Sequence, residues 1–253
     1  EYVWYIDPDD MVYPQAVKDV LNQCILEKLD VICFNYEDID EQENILSQPI
    51  VFKDTSVMTG LDFAHNVFGG EIIYHFGYVV RFLYRRQFLL ENNIFFPEHT
   101  CWQDTVYMPE AILKARKIMG QQRNVYRYWH HDTSVCGSFN LGYSGIKIYQ
   151  WAFNAGYYVL QLSRDIRDLD KHYSDLFYNF ACVHYFNQIP IFLCRTTASQ
   201  RANFYKQIKL HSDRVAEVYP YFNRISKMLL QPVMGPLCAH ILGGIYKLTH
   251  KKH

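Results

Sequence analysis

The chain opens with Glu1-Tyr-Val-Trp-Tyr-Ile-Asp-Pro-Asp-Asp-Met-Val-Tyr-Pro14. The apolar, aromatic run from Tyr2 to Ile6 predicts a buried strand, and it stops at three carboxylates, Asp7, Asp9 and Asp10. In an open α/β sheet, ligands bind beyond the carboxyl ends of the strands, so these acids fall where a site is expected. Two carboxylates at i and i+2 across a proline turn can approach one hard, oxygen-seeking ion such as Mg²⁺ or Mn²⁺. The same acids can instead cap the next helix, with Pro14 in its first turn and negative charge favoured at the positive end of its dipole. The residues alone leave both readings open.

Composition narrows the classes of function. The 253 residues hold 25 Lys and Arg against 26 Asp and Glu, a balance without the basic footprint that phosphate-backbone recognition needs, so no nucleic-acid partner is expected. With 49% hydrophobic and 20% charged residues, the chain is a folded globular protein rather than a disordered one. Its length suits one large domain or one and a half smaller ones. Seven cysteines (24, 33, 101, 136, 182, 194 and 238) are odd in number and lack a Cys-x-x-Cys pair, which reads as reduced core residues of a cytoplasmic protein. Aromatics reach 17%; most are expected to fill the core, although their flat faces can stack on sugar rings. No signal peptide or initiating Met precedes Glu1, which is read as a processing boundary.

Along the chain, Val17, Val20, Leu21, Cys24 and Ile25 recur at helical spacing and predict an amphipathic helix from Pro14 to about Lys28. Val31 to Tyr36 predicts a strand, and the acids 37, 38, 40, 41 and 43 after it a solvated loop without chemistry. Pro49 to Lys53 suggests an edge strand, and Gly69-Gly70 a break. Arg81, Arg85 and Arg86 lie at helical spacings, forming either a cluster near a diphosphate or a solvent-facing stripe. Thr105 to Ala115 predicts a helix with Asp104 at its amino end, and Lys117 to Trp129 a strand, a turn at residues 120–124, and a second strand. The adjacent His130 and His131 would face opposite sides of an extended segment, so at most one can enter a site.

Beyond Gly137 the pattern becomes helical and aromatic, with no chemical motif. Residues between Lys227 and Lys247 carry no fixed charge, yet the prolines and glycines among them argue against a membrane-spanning helix. A helix lying against the inner membrane face, with Lys247, Lys251 and Lys252 meeting anionic lipid, is the alternative for this segment.

Three stretches together carry a resemblance. Tyr2-Val-Trp-Tyr-Ile-Asp-Pro-Asp-Asp-Met-Val12 resembles the Asp-x-Asp segment of bacterial family 2 glycosyltransferases. Arg81 to Glu98, followed by Trp102-Gln-Asp-Thr105, is similar to the family's segment from an arginine-rich helix to its Glu-Asp motif. Tyr126 to Ser134 resembles the strand and loop that end the catalytic domain. The match covers roughly residues 1 to 135.

The resemblance implies an α/β fold, a partial nucleotide-diphospho-sugar transferase sheet over residues 1–136, with a mainly helical extension over 137–253. The upstream strand-helix units that hold the nucleotide in that family would then be missing before Glu1, either cut away or never present in the parent. The resemblance further implies transfer of a sugar from a nucleotide-diphospho-sugar to a saccharide or lipid-linked acceptor, in cell-surface polysaccharide or glycoconjugate synthesis. Asp7 and Asp9 would engage the donor and its divalent cation (Mn²⁺ or Mg²⁺), with Asp10 in support. Asp104 would be the general base of an inverting reaction. Trp102, Gln103, Arg85 and His131 would contribute to substrate binding. Two positions depart from the family: Gln103 stands where Glu is usual, and His131 where Arg is common. A non-catalytic scaffold descended from a transferase is the competing class. An aspartyl-phosphate phosphatase is disfavoured by Met11 and the lack of a later acid pair, and a calcium loop by Val12 and Lys18.

Overall fold

The computed structural model describes residues 1–49, 51–68, 78–130, 145–231 and 234–249. The chain forms two compact units, Glu1–Phe96 with Tyr107–Gly137, and Pro97–Val106 with Ser138–His253. The second thus takes a segment that the sequence reading assigns to residues 1–136.

The first unit is an α/β layer built on a sheet of six strands among the described residues. These are β1 (Tyr2–Trp4), β2 (Met11–Val12), β3 (Val31–Ile39), β4 (Ile45–Ser47), β5 (Phe82–Arg85) and β6 (Ile118–Trp129). Their order is β1-β5-β3-β6-β2, with β4 pairing β3. β3 and β6 pair in parallel, and β5 runs antiparallel to both β1 and β3. Strands β1, β3 and β6 therefore point the same way, and their carboxyl ends share one edge of the sheet.

β3 is central and almost wholly buried, which explains its continuous apolar start, Val31-Ile-Cys-Phe34. The amphipathic helix α1 (Pro14–Glu27) seats Val20 and Cys24 against Leu29, Ile32, Phe34, Leu83 and Val125. Lys28 closes it in the left-handed region at φ 55°. β1 is short, and its side chains hold it in place. The Tyr2 hydroxyl donates to the Cys24 and Leu29 carbonyls at 2.8 and 3.1 Å, and the Trp4 indole donates to the Val80 carbonyl at 2.7 Å. Helices α2 (Gly60–Phe63), α3 (Arg86–Glu91) and α4 (Asp104–Lys114) complete the elements up to β6.

Four local expectations are corrected. β6 is one twelve-residue strand, not a hairpin: residues 120–124 stay within it, and a register shift against β3 absorbs the extra residues. The acidic run is not wholly a loop, because β3 continues through Glu37 and Asp38. The segment after residue 50 is held by a side chain rather than a ladder: buried Asn35 donates to the Phe52 carbonyl and accepts from the Val51 and Phe52 amides. The arginines do not share a helix. Arg81 ends a short 3₁₀ turn, Arg85 ends β5 and Arg86 begins α3.

The second unit is helical: α5 (Gly145–Tyr149), α6 (Gly156–Asp165), α7 (Lys171–Phe180), α8 (Ile189–Arg195), α9 (Ala198–Leu210), α10 (Ser212–Val218), α11 (Arg224–Leu229) and α12 (Met234–Thr249). Its core is aromatic, with Tyr149, Phe153, Tyr173, Phe177, Tyr185, Phe186 and Phe204 buried. Among the described residues no helix is long and apolar enough to cross a membrane.

Asp30, just before β3, is 4% exposed and fully engaged. One oxygen accepts Arg85 Nε and Nη2 at 3.1 and 2.6 Å, and the other accepts the Arg116 and Lys117 amides at 2.9 and 3.1 Å. Asp30→Ala strands these donors and should cost about 2–4 kcal/mol in urea unfolding. Glu91→Ala, which removes Arg85's exposed second partner, should leave the midpoint unchanged.

Candidate functional site

The carboxyl edge of β1, β3 and β6 gathers the acids that follow β1. After Trp4 the chain leaves the sheet, turns at residues 7–10 with the Asp10 amide donating to the Asp7 carbonyl at 3.2 Å, and returns as β2 beside β6. Asp7 and Asp9 are exposed, and Asp10 is half-buried. Both oxygens of Asp10 are occupied: one accepts the Tyr126 hydroxyl, the other the Trp129 amide at 2.8 Å. The Tyr126 oxygen also accepts the Asp7 amide at 3.2 Å. One buried phenol on β6 therefore fixes both ends of the acidic turn. Tyr5 anchors the approach, its hydroxyl 3.1 Å from that of Tyr107 and its ring edge-on to Phe96 and Tyr107.

This packing sets the electrostatics. Burial, then the neighbouring Asp9, raises the Asp7 carboxyl above its ordinary range. Burial likewise raises Asp10, while the Trp129 amide and Tyr126 hydroxyl pull the other way. Burial and the bond to Asp10 drive the Tyr126 phenol upward, so it stays a donor. Asp7 and Asp9 thus form a pair of accessible negative charges that a cation would relieve.

The donor set limits which cation fits. Among the described residues no group of three or more His, Cys, Asp or Glu side chains is arranged to hold a metal. Two carboxylates suit an ion that brings further oxygens from phosphate and water, as Mg²⁺ commonly does, and do not make an all-protein cage. Asp10 is already committed and serves to position the turn.

Nearby on the same edge, Glu37 is 1% exposed and accepts from Tyr13, Arg127 Nε at 3.0 Å and Gln48 at 2.9 Å. Arg127 also reaches Glu43 at 2.8 Å, and Glu43 and Glu37 hold its guanidinium above the usual range. The acidic run thus contributes an ion-pair network that the sequence reading left as loop. His130 lies 2.8 Å from Asp38. His131 lies outside the described residues.

Arg85 is at the other end of the sheet. It pairs in register with Tyr2, at the start of β1, and its guanidinium is on Asp30. This geometry removes it from the acidic turn, because the pairing places it beside Tyr2 at the start of β1, five residues before Asp7.

Trp102, Gln103 and Asp104 belong to the second unit. Trp102 has φ 49°, in the left-handed region that non-glycine residues rarely adopt, and is 38% exposed with its ring edge-on to Trp151 at 5.3 Å. Asp104 starts α4, where the helix dipole favours a carboxylate. The following Thr105 hydroxyl is 3.1 Å from that of Tyr185, whose phenol is pushed up to about 12 by burial despite that bond, with the Asp104 charge adding to the rise. An apolar cavity of about 1140 Å³ in this unit is lined by Tyr205, Ile208, Val215 and Leu230, with Lys206 and Lys209. Among the described residues no acid lines it.

Tyr126 and Trp129 are the residues that sequence reasoning missed. Their link to Asp10 depends on β2 pairing with β6, and no spacing in the sequence reports that pairing.

No family model matches the chain. Over 183 residues, 69% of its length, it is 25% identical to the uncharacterized glycosyltransferase YibD of Escherichia coli K12. The match takes in 49% of that relative, so the chain spans about half the length of the curated relative it matches. Its fold is similar to that of Staphylococcus aureus TarS 1-349 in complex with UDP-GlcNAc, with a TM-score of 0.56 at 17% identity, covering 98% of this chain and 68% of that one. The complex of the same protein with UDP gives a TM-score of 0.54 over 99% and 68% of the two chains. The α/β class expected from the sequence is the fold observed, and the resemblance to glycosyltransferases is met by a related sequence of that name.

A carboxyl whose folded pKa is raised stabilises the fold below its unfolded pKa and loses that contribution as pH rises through the folded value. Asp7→Asn should therefore raise the melting temperature at pH 7, with the gain fading as pH falls through the carboxylate range. Tyr126→Phe, which strips Asp10 of a donor and the Asp7 amide of its acceptor, should cost about 1–3 kcal/mol. Thermal melts from pH 3 to 8 test the first, and urea titration the second.

Proposed function

We propose that the chain is part of a metal-dependent, inverting glycosyltransferase of the family 2 kind, moving a sugar from a nucleotide-diphospho-sugar to a saccharide or lipid-linked acceptor in cell-surface polysaccharide or glycoconjugate synthesis. The observation that carries this reading is the turn at the carboxyl edge of the sheet, where Tyr126 and Trp129 immobilise Asp10 and leave Asp7 and Asp9 exposed side by side. The relationship to a protein named as a glycosyltransferase supports it. The UDP-GlcNAc and UDP bound by the structural relative make a uridine nucleotide the probe of choice.

In this reading Asp7 and Asp9 would hold a divalent ion, which would supply positive charge to offset that of the departing diphosphate. Asp104 takes the proton of the acceptor hydroxyl as its oxygen bonds to the anomeric carbon. The bond from that carbon to the diphosphate breaks with its electron pair, and the configuration inverts. Exposed Trp102 offers a face for an acceptor sugar, with Gln103 beside it. The described cysteines are free thiols, which fits work in the reducing cytoplasm. A non-catalytic descendant is the second reading, favoured by Gln103 in place of Glu.

Calorimetric titration of UDP with Mn²⁺ is expected to show metal-dependent binding that Asp9→Ala abolishes, on this chain or on one extended upstream of Glu1. Asp104→Asn should lower transfer by about 10²–10⁴-fold while leaving that binding in place. Unchanged turnover would overturn the base assignment, and metal-dependent binding without any transfer would favour the scaffold.

A further inference from the structure

The carboxyl-terminal helix α12 is turned inside out. Gly235, Ala239 and Gly243, four residues apart, are the buried positions among its described side chains. Gly235 packs too closely for a larger side chain, since a Cβ there would lie 2.1 Å from the Leu229 carbonyl oxygen, and a Cβ on Gly243 would lie 2.8 Å from the Arg201 guanidinium, which would have to shift. The large apolar residues face outward instead, with Met234 55%, Leu237 54% and Ile241 52% exposed. Their spacing of three and four places them on one face, and Ile245 continues it. On the preceding helix α11, Ile225 and Met228 are also exposed. A helix in water ordinarily buries such residues, and a contiguous exposed set marks a surface for apolar contact.

Charge indicates what covers it. From Val218 to His253 the sequence has no Asp or Glu, and it carries Arg224, Lys227, Lys247, Lys251 and Lys252. Three of these cations follow the apolar face directly in sequence. A segment that pairs an exposed apolar face with a sequence holding cations and no acids matches a surface that is apolar beneath and anionic above, whereas a protein partner or a second copy calls for no such one-signed composition.

We propose that α12, with α11 beside it, docks the chain on an anionic lipid bilayer, lying in the plane of the interface with Met234, Leu237 and Ile241 in the acyl boundary. Among the described residues no helix can span a bilayer, so the contact is peripheral. It does not depend on the sugar-transfer reading.

Vesicle flotation of the 253-residue chain tests this, with equal parts phosphatidylglycerol and phosphatidylcholine in one arm and phosphatidylcholine alone in the other. Flotation with the anionic vesicles only is expected. The bound fraction should fall roughly tenfold for Leu237→Glu with Ile241→Glu, and also for Lys251→Gln with Lys252→Gln. The first pair is exposed and the second follows the helix, so circular dichroism should show both variants folded. Protein that stays at the bottom of both gradients overturns the proposal. So does flotation indifferent to Leu237→Glu with Ile241→Glu, which would put the contact elsewhere. Light scattering distinguishes the remaining case: an oligomer that this double variant splits, without flotation, would make the face an interface between copies.

Discussion

A single carboxylate, Asp10, takes a phenol hydroxyl and a main-chain amide from the same strand, and the geometry of the acidic turn depends on that clasp. Tyr126 and Trp129 lie near the carboxyl end of β6, so Asp10 ties the turn to the end of a long, central parallel strand. The Tyr126 oxygen then fixes the Asp7 amide. Without the clasp, residues 7–10 would be an exposed loop free to spread its charges. With it, Asp7 and Asp9 are held close enough that one raises the pKa of the other. Burial is the larger cause of that rise and Asp9 the smaller, and a nearby cation would favour the ionised carboxylate against both.

The opposite edge of the sheet carries a second carboxylate with a different task. Asp30 gathers Arg85 and the amides of Arg116 and Lys117, joining the starts of β3 and β6 to the end of β5. The two acids divide the sheet by role. Asp30 is buried and fully paired, which is the condition for a structural charge. Asp7 and Asp9 are exposed beyond the carboxyl ends, where open α/β sheets bind ligands.

Much of this was legible in the sequence. The amphipathic spacing of Val17 to Ile25 and the apolar Val31-Ile-Cys-Phe34 each report a local period, and each became the expected element, whereas the aromatic run expected as a buried strand to Ile6 is a strand only over Tyr2–Trp4, half-buried, with Ile6 exposed. What was missed depended on tertiary pairing. A glycine and polar residues at 120–124 read as a turn, yet β3 supplies a parallel partner along the whole of β6, and a bulge accommodates them. The acids at 37 and 38 read as solvated because their partners, Arg127 and His130, lie some ninety residues away. Arg81, Arg85 and Arg86 matched helical spacing by coincidence, since a strand ends between them. Tyr126 read only as part of a strand, because a tyrosine in a strand differs from a site residue only in what sits across from it.

The most direct test of the acidic turn is anomalous diffraction from crystals grown with UDP and Mn²⁺. The account predicts a manganese peak bonded to an oxygen of Asp7 or Asp9 and to the diphosphate, with Asp10 still on Tyr126 and Trp129. A nucleotide bound with no metal at the turn, or a manganese peak held by other residues, would contradict it.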